Sequence, residues 1–433
     1  MNKINNKSLE NFKNLPILKL TGNFIGISAE NKVKVNIEFI NQTGEKIFEE
    51  KIARLNWQGN SSLVFPKKNY SLSLFEKDGV TKYNIKLFQD VPENNKYHLK
   101  ANYIDPTHAR NIVMARILND LYKNPLPNRS IIDGFPIILY INGRKKGLYT
   151  LNLKQSAKLY GLDKKNPNHL MFRAEKNTHD HINTKPCAFR ALSTNNTPNH
   201  PMVDWRDKLK KNTSSRDRDK LNRLIQWVMD CENNPTKFKK ENSQYWNTEY
   251  LIDYYIHSYI FGMLDSLARN MNILTYDAKI WYPTFYDMDS SLGLFWNGSI
   301  FPTNKKFPDE YQTGDSLLWE LVSKAYKEEI KDRYKELRKE KLSGENIKKY
   351  LEEFINEIPE EEYIEEQKNF KYTGGIKFII KNNPIINQIL HTIYPKRWYK
   401  INPERWGNKN FKLNHIKKWI DERLDFVDSQ ITF

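Results

Sequence analysis

This sequence of 433 residues has only two cysteines, no long apolar run and no N-terminal segment that resembles a signal peptide. The two cysteines, Cys187 and Cys231, lie far apart without metal-ligand spacing around them, which argues against both a disulfide framework and a zinc site. The longest apolar run, around residues 259–264, is far shorter than the ~20 residues that span a bilayer. The first residues, MNKINNKSLENFKN, contain no apolar h-region. We therefore expect a chain without a signal peptide, cytoplasmic at synthesis and with no membrane partner.

Several common catalytic motifs are missing as well. The sequence has neither Gly-x-Ser-x-Gly nor His-Glu-x-x-His, which argues against a serine hydrolase and a zinc protease. It also has neither a Walker A motif nor Gly-x-Gly-x-x-Gly, which argues against the common nucleotide-binding loops. His179 and His181 have no third and fourth ligand at a set spacing, which argues against a metal site there.

The charge is strongly positive but mixed in pattern. The 69 Lys and Arg residues against 52 Asp and Glu give a net charge of +17, which favours an acidic partner such as nucleic acid, phosphorylated protein or an anionic surface. Charges of both signs alternate on several predicted helices, and this is more typical of a solvated surface. Trp398 and Trp406 stand among basic residues and could stack bases, but such aromatics more often anchor a loop. Nucleic acid is therefore open as a partner but not favoured.

The order of the patterns predicts an α+β protein, β-rich first and mainly helical later. Aromatic residues make up 13% of the chain, which excludes disorder over most of its length. Alternating apolar residues predict strands at 32–40 and 70–74, a helix is predicted at 106–122 after Asp105, and a hairpin at 136–153 turns at Asn142-Gly143.

Later segments predict helices at 215–231, 248–264, 344–358 and 414–427, with a further helix starting at Asp315 or Ser316 and strands at 272–276 and 279–286. We divide the chain into an N-terminal β extension at 1–53, a core at 54–300 and a helical region at 301–433. Within the core, residues 175–214 lack periodicity and predict an irregular insertion.

The first candidate for chemistry is Gly59-Asn60-Ser61-Ser62, followed by Pro66-Lys67-Lys68. Backbone N–H groups near a glycine, two hydroxyls and a lysine can together bind phosphate. Lys67 and Lys68 are adjacent, so on a strand only one of them can face a site. The alternative is a β-turn before an edge strand.

The second candidate is Asp287-Met-Asp289-Ser-Ser, directly after a predicted strand. Two carboxylates at i and i+2 can share one hard cation such as Mg²⁺, although acidic turns are also common at strand ends. Asp265 and Asn270, five apart, match the spacing of a catalytic base and a metal ligand in phosphoryl-transfer loops.

Taken together and in order, these segments resemble the spore-coat protein H (CotH) kinase family over residues 14–430, and in particular members from Gram-positive bacteria and their phages. The resemblance is carried by the two candidates above and three further segments: Lys96-Tyr-His-Leu-Lys-Ala-Asn102 with Asp105-Pro-Thr-His-Ala-Arg110-Asn111, Ile141-Asn-Gly143 with Gly147-Leu-Tyr149, and Asp265 with Asn270.

The resemblance implies an atypical protein-kinase-like fold that uses ATP with Mg²⁺ or Mn²⁺ to phosphorylate coat proteins. It implies a catalytic role for Asp265 and metal binding by Asp289, Asp287 and Asn270. For the nucleotide it implies contacts from a set of residues in the first part of the chain, namely Asn60, Ser61, Ser62, Lys67 or Lys68, Arg110 and Asn111.

One position departs from the family. Members often carry a glutamate at the end of the second hairpin strand, where this chain has Leu153. Without that acid the nucleotide-site lysine lacks an ion-pair partner, unless Glu50 or another carboxylate substitutes. Two hypotheses follow: an active kinase acting on a coat or particle-surface protein, or a catalytically silent structural component of a spore coat or of a phage tail or baseplate.

Overall fold

The computed structural model describes residues 14–59, 61–88, 91–121, 132–176, 189, 204–210, 213–263, 266–267, 270–295, 298–306, 317–370 and 402–431. Strands dominate the first part and helices the last, which confirms the α+β class.

The first seven strands form a closed barrel in the order β1-β2-β3-β4-β5-β7-β6. All neighbours are antiparallel except β1 and β6, whose parallel pairing closes the barrel. The strands are β1 Ile17–Thr21, β2 Val33–Ile40, β3 Lys46–Gln58, β4 Asn69–Phe75, β5 Lys96–Lys100, β6 Gly134–Ile141 and β7 Arg144–Leu153.

Alternating side chains fill the barrel. Val35, Ile37 and Phe39 of β2 are buried in its core together with Leu72 of β4, as the period of two predicts. The hairpin between β6 and β7 is also confirmed, because Asn142 and Gly143 both have positive φ (50° and 74°), as the favoured two-residue turn requires.

The predicted boundary at residue 53 lies inside β3, which runs without interruption from Lys46 to Gln58. Strands β1 and β2 pair with each other, and in addition β1 pairs with β6 and β2 pairs with β3. The described residues before 54 are thus part of the same barrel as those that follow.

A second, four-stranded antiparallel sheet has the order β11-β10-β8-β9. Its strands are β8 Leu170–Lys176, β9 Asp204–Asp207, β10 Met271–Thr275 and β11 Trp281–Phe285. Part of the predicted irregular insertion at 175–214 is therefore regular, because β9 pairs with β8. Residues 177–188, 190–203 and 211–212 lie outside the described residues.

Nine α-helices are present among the described residues. They are α1 Arg110–Leu121, α2 Ser215–Asp230, α3 Pro235–Glu241, α4 Thr248–Ile260, α5 Leu317–Ala325, α6 Lys327–Lys339, α7 Gly344–Glu357, α8 Glu360–Asn369 and α9 Lys409–Ile431. None of the helices in the described part of the chain is both long and apolar enough to cross a membrane.

Helix α1 begins later than predicted. The carboxylate of Asp105 does not cap a helix starting at Pro106 but accepts hydrogen bonds from the backbone N–H groups of Thr107 and Arg110. His108 has a positive φ of 59°, so the backbone cannot be helical there. The residues from 101 to 109 therefore form an ordered loop between β5 and α1, and α1 starts at Arg110.

Aromatic stacking joins the second sheet to the helices. The ring of Tyr254 on α4 stacks between those of Phe285 on β11, with centroids 3.9 Å apart, and Trp319 on α5, at 5.0 Å. The apolar stripe predicted for the last helix is confirmed, since Ile416, Trp419 and its neighbours at helical spacing are buried. This core fixes the end of β11, from which the acidic motif leaves.

Candidate functional site at the junction of the barrel and the second sheet

The barrel and the second sheet meet where the end of β5 faces the residues that follow β11. Lys100, the last residue of β5, donates a hydrogen bond from Nζ to Oδ1 of Asp287 at 2.9 Å. The Lys100 side chain is 8% exposed and that of Asp287 is 25% exposed, so the pair is mostly shielded but still reachable from solvent. We call this contact and its surroundings the junction site.

Electrostatics keep Lys100 protonated. Burial alone would lower the pKa of its ammonium group, but the charges of Asp287 and Asp289 outweigh burial and place the pKa above its usual value. Both carboxylates therefore act on the same ammonium group, which shows that the acidic motif and Lys100 belong to one site.

The loop of residues 287–292, here called the acidic loop, is held in a specific shape. Asp287 has a positive φ of 58°, which is uncommon for a residue other than glycine. The side chain of Asn111 accepts a hydrogen bond from the backbone N–H of Met288 at 3.0 Å, and Ser291 Oγ donates to the carbonyl of Met288 at 2.8 Å. These bonds fix the backbone between the two carboxylates.

Arg110 holds the other end of the acidic loop. Its guanidinium donates to the backbone carbonyls of Ser291 and Leu292 at 3.1–3.3 Å and to the carboxylates of Asp105, at 2.5 Å, and Glu404, at 2.7 Å. The side chain is fully buried. This placement does not fit the expected contact between Arg110 and a nucleotide. Arg110 and Asn111 instead fix the position of the acidic loop.

Glu404 links the C-terminal region to this network. Its side chain is 1% exposed. The Oε1 atom accepts a hydrogen bond from Arg110 and lies 2.9 Å from Nδ1 of His415. Burial by itself would raise the pKa of Glu404, but the charge of Arg110 and the contact with His415 hold it below its usual value. The carboxylate is therefore charged and balances Arg110.

Lys67 and Lys68 do not join the junction site in this structure. Lys67 is 3% exposed and donates to the carbonyl of Leu148 and to the carboxylate of Glu366, with its Nζ 4.5 Å from the ring centroid of Tyr149. Lys68 donates to the carbonyl of Leu63 at 2.5 Å. The adjacent lysines have separate partners, and neither partner is in the acidic loop.

Glu366 on α8 supplies the ion-pair partner that the sequence lacks at Leu153. Its carboxylate contacts Lys67 Nζ and accepts from the backbone N–H of Leu148 at 3.3 Å. Glu50, the substitute considered from the sequence, instead pairs with Lys77 on the exposed surface at 2.9 Å. Sequence reasoning missed Glu366 because it stands 299 positions from Lys67 in a run of acidic residues without a motif.

The other predicted site residues are placed as follows. Asn270 precedes β10, and its backbone carbonyl accepts from the N–H of Tyr286 at 3.0 Å, so it lies beside the start of the acidic loop. Ser62 Oγ accepts from Asn69 Nδ2 at 3.3 Å, in a short 3-10 helix before β4. Asn60, the side chain of Ser61, and Asp265 lie outside the described residues.

Lys100 is a residue of the junction site to which sequence reasoning gave no role. It belongs to the quoted segment at 96–102, where Lys96, His98 and Lys100 alternate with Tyr97 and Leu99. That period of two places the three cationic or titratable side chains on the outer face of the barrel. The signal was present, but only the fold shows that Asp287 lies opposite.

The donor set suits a hard cation shared with a ligand. Among the described residues no group of three or more His, Cys, Asp and Glu side chains is arranged to hold a metal ion by itself. Asp287 and Asp289 provide two carboxylates, and Mg²⁺ is commonly held by one or two carboxylates together with phosphate oxygens. In the junction site, the Lys100 ammonium group can therefore bind phosphate, and the two carboxylates can bind a metal ion.

Comparison with models of known protein families identifies the family of this chain. The family model described as CotH kinase protein matches residues 55–427, which is well over half of the chain. No curated protein matches the sequence. The matched range begins within β3 and ends within α9, so it includes Lys67, Lys100, the acidic loop, Glu366 and Glu404.

Proposed function

Because the chain belongs to the CotH kinase protein family, we propose that it transfers the γ-phosphate of ATP to a hydroxyl group of a protein. The observation that carries this proposal is the ion pair of Lys100 with Asp287 in a shielded site, where the charge of Asp289 acts on the same ammonium group. In phosphoryl transfer the protein mainly positions the reactants and neutralises charge, and a lysine beside two carboxylates can do both.

The residues of the junction site fit ATP with a divalent cation. Asp287 and Asp289 would hold Mg²⁺ or Mn²⁺, with Asn270 beside them, and the bound cation would neutralise the charge of the phosphates. Lys100 would bind a phosphate oxygen in place of the Lys67 or Lys68 contact expected from the sequence. Asp265 is proposed as the residue that positions the acceptor hydroxyl, on the family resemblance alone.

The remaining residues act by holding this arrangement. Asn111 and Arg110 fix the acidic loop, and Glu404 keeps Arg110 in place. The buried pair of Lys67 and Glu366 ties the loop before β4 to α8. We propose that the barrel serves as the N-terminal lobe of a kinase-like fold, with the second sheet and the helices as the other lobe.

We propose a protein of a spore coat or phage particle as the acceptor, reached after synthesis in the cytoplasm. The second candidate function is a catalytically silent structural component of such a particle, in a tail, a baseplate or a coat. The complete burial of Arg110 and the near-complete burial of Lys67 favour it, because the sequence had placed both on the nucleotide.

A transfer assay tests the first candidate. The full chain is incubated with γ-labelled ATP and Mg²⁺ or Mn²⁺, and label is followed in the chain itself and in an added acidic protein such as casein. We expect metal-dependent incorporation that Asp289→Asn and Lys100→Met abolish, while the control Asp332→Asn on the exposed face of α6 leaves it unchanged.

Nucleotide binding is measured on the same proteins by calorimetry. Binding without transfer by a folded wild-type chain would overturn the kinase proposal and favour the structural candidate. Transfer that survives both Asp289→Asn and Lys100→Met would show that the junction site is not the catalytic centre.

A further inference from the structure

A row of basic side chains extends from the junction site along the outside of β5. Lys96, His98 and Lys100 share the outer face of this strand, whereas Tyr97 and Leu99 point into the barrel core. Residues two apart on a strand are separated by roughly 6.6 Å, so the row is about 13 Å long. It runs from the exposed Lys96, through the nearly buried His98, to Lys100.

Lys154 adds a further cation to the exposed end of the row. Its backbone N–H donates to the carbonyl of Lys96 at 3.2 Å, and its Nζ donates to Oγ of Ser71 on the neighbouring strand at 2.9 Å. Because Ser71 pairs with His98 across β4 and β5, the Lys154 ammonium group is held over the outer face beside the row.

The second sheet contributes positive charge from the opposite side. Arg173 on β8 donates to Gln155 and Asn272, both at 2.8 Å, and these bonds hold its guanidinium near the residue that follows Lys154. Lys208, directly after β9, acts on the same region, since its charge contributes to lowering the pKa values of both His98 and Lys154.

The electrostatic consequence is a region in which several positive charges lie close together, with Lys100 at one end balanced by Asp287. Burial, followed by the charges of Lys100, Lys154 and Arg173, lowers the pKa of His98 well below its usual value. Burial and the neighbouring cations lower the pKa of Lys154 to about 8. Burial is the larger cause of both shifts, and the part that the neighbouring cations contribute would be relieved by a bound polyanion.

His98 also lacks a partner within the described part of the chain. Its side chain is more than nine-tenths buried, and it makes no hydrogen bond or ion pair with the described residues. Its ring nitrogens are not among the fully buried atoms without a partner, so they remain open to solvent or to a ligand. Its position in the middle of the row suits an anionic oxygen of a ligand lying along β5.

The backbone of β5 argues against a peptide as that ligand. This strand lies between β4 and β7 in a closed barrel, so its backbone groups are already paired and offer no edge for strand addition. Proteins that bind single-stranded nucleic acid commonly stack its bases on aromatic side chains. Tyr97 points into the barrel core, and the ring of Tyr286 is covered by the guanidinium of Arg173 at 3.3 Å.

We propose that this row, formed by Lys96, His98, Lys100 and Lys154, binds linear inorganic polyphosphate. A polyphosphate chain carries negative charge along its whole length, needs no base pocket and no backbone pairing, and can reach from Lys100 to Lys154. The proposal shares Lys100 with the proposed phosphate contact of ATP, but it requires no phosphoryl transfer.

Calorimetry on the full chain without divalent cations tests the proposal. The probes are inorganic tripolyphosphate, a longer linear polyphosphate and ATP. We expect the longer chain to bind more tightly than tripolyphosphate or ATP, because only the longer chain spans the row. The double variant His98→Gln, Lys154→Gln should weaken longer-chain binding by about tenfold or more, the effect expected for losing charge-assisted hydrogen bonds. The control variant Lys82→Gln removes an exposed charge elsewhere on the barrel and should change the affinity for the longer polyphosphate little.

Equal affinity for the three probes, or an unchanged affinity in the double variant, would overturn the proposal. So would row-dependent binding of a poly-glutamate peptide as tight as that of polyphosphate, because the ligand would then be an acidic protein segment. Failure here is distinguishable from failure of the kinase proposal, since that proposal is tested by transfer in the presence of metal. Circular dichroism of each variant shows that the fold is retained.

Discussion

The ion pair between Lys67 and Glu366 makes a quantitative prediction. Both side chains are nearly inaccessible, at 1% and 4% exposure, and they join the loop before β4 to α8. Burial raises the pKa of Glu366 and lowers that of Lys67, so each charge depends on the other for its stability. Replacing one partner should therefore cost much more than replacing both.

The magnitude follows from what each variant leaves behind. Lys67→Met leaves a buried carboxylate without its cation, which typically costs about 3–5 kcal/mol. Glu366→Gln costs less, because Lys67 still donates to the carbonyl of Leu148. The double variant Lys67→Met, Glu366→Leu removes both charges and should lie within about 1–2 kcal/mol of the wild type. The two sites should thus be non-additive by at least about 2 kcal/mol.

Urea unfolding, followed by tryptophan fluorescence, measures these free energies of unfolding. The double-mutant cycle compares the wild type, Lys67→Met, Glu366→Leu and the double variant. The exposed pair of Lys77 and Glu50 serves as the matched control and should show little coupling. If the effects of Lys67→Met and Glu366→Leu simply add, the two side chains do not depend on each other, and the interpretation of α8 as the source of the missing acid is refuted.

Three further predictions concern the network around the acidic loop. The pKa of Glu404 is lowered in the folded state, so its stabilisation is present above the ordinary glutamate pKa of ~4.3 and is lost as pH falls through the folded value. In the Glu404→Gln variant, the urea midpoint of unfolding should therefore fall less between pH 5 and pH 3 than it does in the wild type. Asn111→Ala leaves the Met288 N–H unpaired and should weaken Mn²⁺ binding in titration calorimetry. Gly293→Ala should lower the melting temperature more than Gly143→Ala; both have positive φ, but a Cβ at 293 meets Trp419 at 2.9 Å, whereas position 143 is open.

Four of the seven barrel strands and most of the helices could be predicted from the sequence because their signals are local, whereas the closure of the strands into a barrel could not. Alternation in β2 and β4, the Asn142-Gly143 turn and the stripe of the last helix each need only a short window of residues. The start of α1 was misplaced because Asp105 resembles a helix cap. Its carboxylate instead closes a loop that ends at Arg110.

The candidate site was predictable only in part, because tertiary contacts decide which polar residues meet. The acidic motif could be chosen by its position after a strand, and the structure places Asp287 against a lysine. Which lysine it would be depends on the barrel geometry, and the sequence favoured Lys67 or Lys68 over Lys100. Glu366 and Glu404 had no motif, since a buried carboxylate is recognised only by what surrounds it.

The distance along the chain between Lys67 and Glu366 has a consequence for biosynthesis. Ribosomes add roughly 5–20 residues per second, so the 299 positions between them correspond to about 15–60 s of translation. All seven barrel strands are made before α8 exists, and Glu404 is made later still. From the completion of β7 at Leu153 until α8 is made, the barrel of the nascent chain has a Lys67 without its carboxylate partner, and Arg110 waits still longer for Glu404. The network around the acidic loop can therefore be complete only after Glu404 has been made, and under the proposed function a chain shorter than this would lack a fully held junction site.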